Sequence, residues 1–117
     1  MQKHEFTLQP APFKRMQQGI KKVEMRLFDT KRQKLQVGDF ICFTNTVTKE
    51  QLNVQIVELK QFRDFKALYA AYSPFDLGYE PGEEVSSSHM EVYYNNVQIM
   101  KFGVLAIRIK LLNSEIS

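Results

Sequence analysis

The stretch Gly19-Ile20-Lys21-Lys22-Val23-Glu24-Met25-Arg26 decides how this chain is read, because it joins a helix stop to a strand and crowds four charges into six residues. Val23, Met25 and Leu27 alternate with Lys22, Glu24 and Arg26, so a strand over 21–27 turns one face to a core and lines the other with charge. On an open strand face, Glu24 and Arg26 would form a surface ion pair that contributes little. The flanks suggest another setting. A short proline-headed helix precedes the stretch and a basic loop follows it, so the charged face can line a cleft between helix and sheet.

The neighbouring elements follow from similar patterns. Phe6 and Leu8 alternate within 4–9, a first strand that Pro10 and Pro12 stop. Phe13, Met16 and Ile20 recur at helical intervals, giving a short helix over 12–18 closed by Gly19. Residues 28–37 form a polar, basic connection, and Gly38-Asp39 is a turn that launches a strand over 40–44. Leu52, Val54 and Ile56 alternate before Val57 and Leu59 shift the parity, which predicts a β-bulge. Phe65, Leu68, Tyr69 and Tyr72 make a helical stripe with Asp64 as N-cap and Ser73-Pro74 as its end. Residues 74–87 read as a long acidic loop, either a functional flap or a surface segment. Ser88 and Glu91 have the spacing of a capping box, and Met90, Tyr93, Tyr94 and Val97 repeat at helical intervals, so a third helix is expected from 88 to about 101. After Gly103, residues 104–112 are apolar nearly throughout, as in a strand buried on both faces. Short strands joined mostly by turns, with no glycine-rich nucleotide loop, indicate an α+β domain over 1–117 built on a small curled sheet or barrel.

Composition sets bounds on function. At 44% hydrophobic and 25% charged residues the chain falls in the ordinary globular class. Its longest apolar run, 102–107, is too short to span a membrane, and the N-terminus lacks an apolar signal core, so a cytoplasmic protein without membrane association is expected. Cys42 stands alone inside an apolar run and reads as a buried small hydrophobe. With His4 and His89 far apart and no second cysteine, zinc is not expected, and no metal or organic cofactor is implied. The net charge of +3 is unevenly spread: residues 1–35 hold nine lysines and arginines against three acids. Lys14, Arg15, Lys21, Lys22, Lys31 and Arg32 gather around the opening stretch. They describe a positive surface suited to phosphate or another anion, although scattered lysines also cover ordinary solvated surface.

The pattern Gly19-x-Lys21-x-x-Glu24-x-Arg26, followed by Val37-Gly38-Asp39 opening a hydrophobic strand, resembles the ASCH domain family, whose fold is similar to the PUA domain of RNA-modifying proteins. Pro10-x-Pro12-Phe13 before the motif and Tyr93-Tyr94 through Phe102-Gly103-Val104 extend the resemblance over nearly the whole chain, toward a bacterial branch of single-domain members. The resemblance implies a PUA-like β-barrel of five to six strands with two to three flanking helices. It also implies a cleft between the first helix and the strand 21–27, and a ligand that is RNA, a nucleotide or a modified nucleoside. Family members include an amidohydrolase that removes the acetyl group from acetylcytidine and in which a lysine, a threonine and a glutamate act. Lys21 matches that lysine, whereas the threonine position holds Glu24.

Two readings of the site therefore stand side by side. As a binding site it would use Arg26, Lys22, Lys31 and Arg32 for anionic groups and Tyr93 to stack on a base, although the helical spacing of Tyr93 fits core packing as well. As a hydrolytic site it would use Lys21 as base or nucleophile, Glu24 to move a proton, and Arg26 with Lys31 or Arg32 to hold an oxyanion. Strict alternation places Lys21 on the face of Val23, away from Glu24 and Arg26, where it would be a snorkelling surface lysine.

Overall fold

Five strands form one curled sheet: β1 (Lys3–Leu8), β2 (Val23–Leu27), β3 (Phe40–Asn45), β4 (Gln51–Phe62) and β5 (Val104–Leu111). The computed structural model describes residues 1–112; residues 113–117, the end of the expected domain, lie outside the described residues. The spatial order is β1-β3-β4-β5-β2, with β1 parallel to β3 and every other pair antiparallel. This order leaves β1 and β2 as the two edges of a half-barrel. The curl brings them together, and the Arg26 guanidinium on β2 donates from Nη2 to the Thr7 carbonyl on β1 at 2.7 Å. The α+β, PUA-like architecture expected from the sequence is the one observed.

The parity shift in β4 is a bulge between Ile56 and Glu58. It bends a twelve-residue strand so that one end pairs with β3 and the greater part pairs with β5. The interior strand β5 is buried on both faces over its first half, with Val104, Leu105, Ala106 and Ile107 all at most 2% exposed. Its alternate residues enter two cores. Leu105, Ile107 and Ile109 join Phe6, Phe13, Phe43 and Ile56 inside the curl, while Val104 and Ala106 join Val23, Met25 and Leu27 on the outer face. That outer core is covered by α2 (Phe65–Ala71) through Phe65 and Leu68, and by α3 (Asn96–Phe102) through Ile99. Burying each of these large side chains contributes roughly 1.5–3 kcal/mol.

The helix after β1, α1, runs Pro10–Gln17, two residues earlier than expected, because both prolines fall in the first turn, where no intrahelical N–H is required. Phe13 and Met16 face the core as their spacing predicts, and Gly19 turns the chain back with φ of +82°. The N-cap of α2 is Asp64, which accepts the Ala67 N–H at 2.8 Å.

The third helix differs from expectation. In place of one helix over 88–101, a 3₁₀ turn spans Ser87–Val92 and α3 begins afresh at Asn96. The capping box forms between Asn95 and Gln98, and the Ser88–Glu91 pair makes none. Asn95 accounts for the break, since its side chain satisfies the Gln98 N–H at 2.8 Å as an N-cap and is ill suited to a helix interior. The interruption rotates the apolar stripe, so Tyr94 stacks on Phe65 at 5.8 Å while Tyr93 stays 57% exposed. No helix among the described residues is long and apolar enough to cross a membrane.

Candidate functional site

The charged face of β2 is turned inward. Glu24 stands opposite Ile107 and Arg26 opposite Leu105, so both side chains emerge on the inner face of the curl at its open side. Glu24 is 5% exposed and Lys21 4%, which replaces the expected surface ion pair with a buried one. The alternation that would have sent Lys21 away does not reach it, because β2 begins only at Val23. The linking residues bond elsewhere: the Ile20 and Lys21 N–H groups go to the Arg15 carbonyl, and those of Lys22 and Val23 both go to the Asp76 carbonyl. Freed from the pleat, Lys21 places Nζ 3.4 Å from Glu24 Oε1 and donates to the Leu77 carbonyl at 2.9 Å.

The Glu24 carboxylate is held at both oxygens. Oε1 accepts the Met25 N–H at 3.0 Å and faces Lys21, while Oε2 accepts both Nε and Nη2 of Arg26 at 3.2 and 2.8 Å. A carboxylate has about four acceptor positions; three hold hydrogen bonds from the protein, and the Lys21 ammonium faces Oε1 at ion-pair distance. Burial alone would raise the Glu24 pKa; the Arg26 and Lys21 charges and the Met25 N–H more than reverse this and hold it at about 2. Burial also opposes the Arg26 charge, but the Glu24 carboxylate outweighs it and raises the guanidinium pKa. The unit as a whole carries one net positive charge. Arg26 Nη1 makes no hydrogen bond among the described residues, and both Arg26 and Lys21 line a cleft of about 340 Å³.

The acidic segment 74–87 is pinned against this unit. Besides the Leu77 and Asp76 carbonyls, its Gly78 carbonyl accepts from Arg15 Nη1 at 2.8 Å, and Glu83 pairs with the same guanidinium at 2.9 Å. Gly78 has φ of +106°, and a Cβ there would stand 3.1 Å from Lys21 Cγ and Cδ. Gly78→Ala is therefore expected to cost roughly 1–2 kcal/mol through left-handed backbone strain alone, with a further loss from displacing Lys21. Urea denaturation checks this; an unchanged midpoint would show that the loop does not hold Lys21.

Aromatic rings wall the cleft. Tyr69 of α2, Tyr79 of the acidic loop, His89 of the 3₁₀ turn, and Tyr93 and Tyr94 beyond it all line it. Of the residues singled out from the sequence, Lys21, Glu24, Arg26 and Tyr93 meet in this cleft. Lys31 and Arg32 lie beside it, where with Arg26 they surround the Phe6 ring at 4.9 to 5.1 Å. Lys22 is exposed and is not among the lining residues. Sequence reasoning missed Tyr69, Tyr79 and His89 as lining residues and Arg15 as the anchor of the loop. Tyr69 was absorbed in a helical stripe, and nothing in the spacing of Tyr79 or His89 announces where a loop will fold.

The ASCH domain model matches residues 6–113, nearly the full length. The chain belongs to the ASCH domain family. This ASCH chain is similar to the crystal structure of hypothetical protein PH0355, at 27% identity and a TM-score of 0.80 over 94% of this chain and 99% of that one. It is also similar to the solution structure of protein PF0455 from Pyrococcus furiosus, at 26% identity and a TM-score of 0.70 over 95% and 98% of the two chains. A serine-to-alanine mutant of ZmASCH from Zymomonas mobilis shares the fold, with a TM-score of 0.66 at 16% identity over 95% of this chain and 73% of that one. No curated protein matches. ASCH domains are associated with RNA binding.

Proposed function

We propose that the cleft binds one unpaired nucleotide of RNA, or a free nucleotide or modified nucleoside, with its base against the tyrosines and its anionic groups on the basic rim. The donor count at the cleft floor carries this reading. Both Glu24 oxygens are engaged by Met25, Arg26 and the Lys21 ammonium, so what the floor turns to a ligand are N–H groups, from Arg26 Nη1 and from Lys21. A cationic, donor-only floor suits oxygen acceptors such as phosphates and base carbonyls. The volume of about 340 Å³ suits a ligand the size of a nucleoside. Tyr93 offers an accessible ring in the wall, and Lys31 extends the positive charge outward from Arg26, while Arg32 is paired with Asp29 at 2.8 Å.

Titration with short single-stranded RNA at two salt concentrations tests the proposal. Affinity is expected to fall with added salt, with a slope of about 0.7 per phosphate neutralised. Tyr93→Ala is expected to weaken binding roughly 5- to 150-fold, as removal of a base-stacking ring does, while leaving thermal unfolding unchanged because the ring is exposed. Salt-independent binding that Tyr93→Ala leaves intact would overturn the reading.

One observation favours a second reading. Lys21 Nζ and Glu24 Oε1 face each other at 3.4 Å in the cleft, the pairing that an amidohydrolase acting on an acylated nucleoside such as acetylcytidine would need. The low Glu24 pKa weighs against it, because a carboxylate that holds a proton only near pH 2 is a poor base at neutral pH. Incubation with acetylcytidine, followed by ultraviolet absorbance and compared with Lys21→Ala, separates the two readings. The binding reading expects no turnover; turnover that Lys21→Ala abolishes would make the chain a hydrolase.

A further inference from the structure

Two phenols and an imidazole form a hydrogen-bonded chain along the wall of the cleft. Tyr69 Oη lies 2.8 Å from Tyr79 Oη, which itself lies 2.9 Å from His89 Nδ1 and 3.2 Å from the Ser86 carbonyl oxygen. The protons in this chain can be counted. The Ser86 carbonyl also accepts the His89 backbone N–H at 3.2 Å, and having no hydrogen to give it can join the chain only if the single Tyr79 hydroxyl hydrogen points to it. Tyr79 Oη must then accept from both other neighbours, the Tyr69 hydroxyl and an N–H on His89 Nδ1. Only this assignment makes all three contacts hydrogen bonds. That assignment puts the neutral imidazole in its Nδ1–H tautomer and leaves a lone pair on Nε2, which has no partner among the described residues.

We propose that His89 Nε2 is a specificity-determining acceptor that selects bases presenting an amino group over bases presenting a carbonyl at the same position. The inference rests on the nucleotide-binding reading of the cleft and narrows it. The floor built from Lys21 and Arg26 offers donors only, so a base edge bearing both a carbonyl and an amino group needs an acceptor from elsewhere in the lining. His89 supplies that acceptor.

Cytidine and uridine monophosphates differ at that one group and serve as the probes. Long-range proton–nitrogen NMR of the full chain at pH 8 should show His89 protonated on Nδ1 and bare on Nε2; an Nε2–H tautomer overturns the proposal whatever the ligand does. At pH 8 the cytidine nucleotide is expected to bind roughly fivefold or more tightly than the uridine nucleotide, the worth of one hydrogen bond. Tyr79→Phe keeps the ring but releases the tautomer, and should bring the ratio near one with uridine affinity retained. Equal affinities at pH 8 with the Nδ1–H tautomer in place would overturn the selectivity and leave the cleft reading intact. Failure of both nucleotides to bind would remove the cleft reading and this inference with it.

Discussion

Glu24→Ala is expected to destabilise the fold by about 3–5 kcal/mol, the range for removing one partner of a buried ion pair. For a domain of this size that corresponds to a fall in melting temperature of roughly 4 °C per kcal/mol. The expectation comes from what the substitution leaves behind. Lys21 would keep only the Leu77 carbonyl and Arg26 only the Thr7 carbonyl, a buried cation and a part-buried one with no anion between them. Urea denaturation of the wild type and variant measures the difference. A loss below about 1 kcal/mol would mean that water reaches the two cations freely and that the unit is a surface pair after all. Replacing Lys21, Glu24 and Arg26 together by apolar residues of similar volume is expected to cost much less than Glu24→Ala alone, because no uncompensated charge remains.

Acid should expose the same unit. Folding lowers the Glu24 pKa from 4.5 to about 2, so the folded state binds its proton less readily than the unfolded chain. The stabilisation is present above the unfolded value and is lost as the pH falls from about 4.5 toward 2. Each tenfold change in proton affinity corresponds to about 1.4 kcal/mol, so the full contribution is about 3 kcal/mol, of which about 2 kcal/mol is gone at pH 3. Asp39, held below its usual range first by its hydrogen bond from His4, works in the same direction. Glu24→Gln isolates the Glu24 share, since glutamine keeps the shape without the titration. The variant should be less stable than the wild type at pH 7 and should lose less between pH 7 and pH 3. Parallel pH dependence in the two proteins would assign the acid loss to other carboxylates.

The strands were legible because each carried a local signal: alternation in β1 and β2, a parity shift at Val57, and a nearly continuous apolar run in β5. The cleft was legible in its cations and its glutamate, which sit in one short motif. Their geometry was not. Period-two alternation assigns Lys21 to the wrong face because it presumes a strand, and only the tertiary bonds from Lys22 and Val23 to Asp76 reveal that the pleat starts later. Periodicity misled in the same way at residues 88–101, where Asn95 carried a capping signal inside an apolar repeat and local capping prevailed over the longer pattern. The aromatic wall could not be read at all. Tyr69, Tyr79 and His89 come from three separate segments, and no spacing encodes contacts made by folding a loop across a sheet.

The two unjoined edges of the half-barrel have one more consequence. Along β1 the carbonyls of Gln2 and Leu8 point toward β3 and its following turn, where Phe40 and Thr46 donate to them, so those of Glu5 and Thr7 face the open side. Both are occupied, Glu5 by Lys31 Nζ at 3.1 Å and Thr7 by Arg26 Nη2 at 2.7 Å. A bare strand edge templates pairing with another chain, and cations laid across its carbonyls block that route. Lys31 and Arg26 thus guard the protein against strand-to-strand aggregation, and a substitution made to weaken ligand binding at either position also uncovers a backbone edge that a second copy can extend.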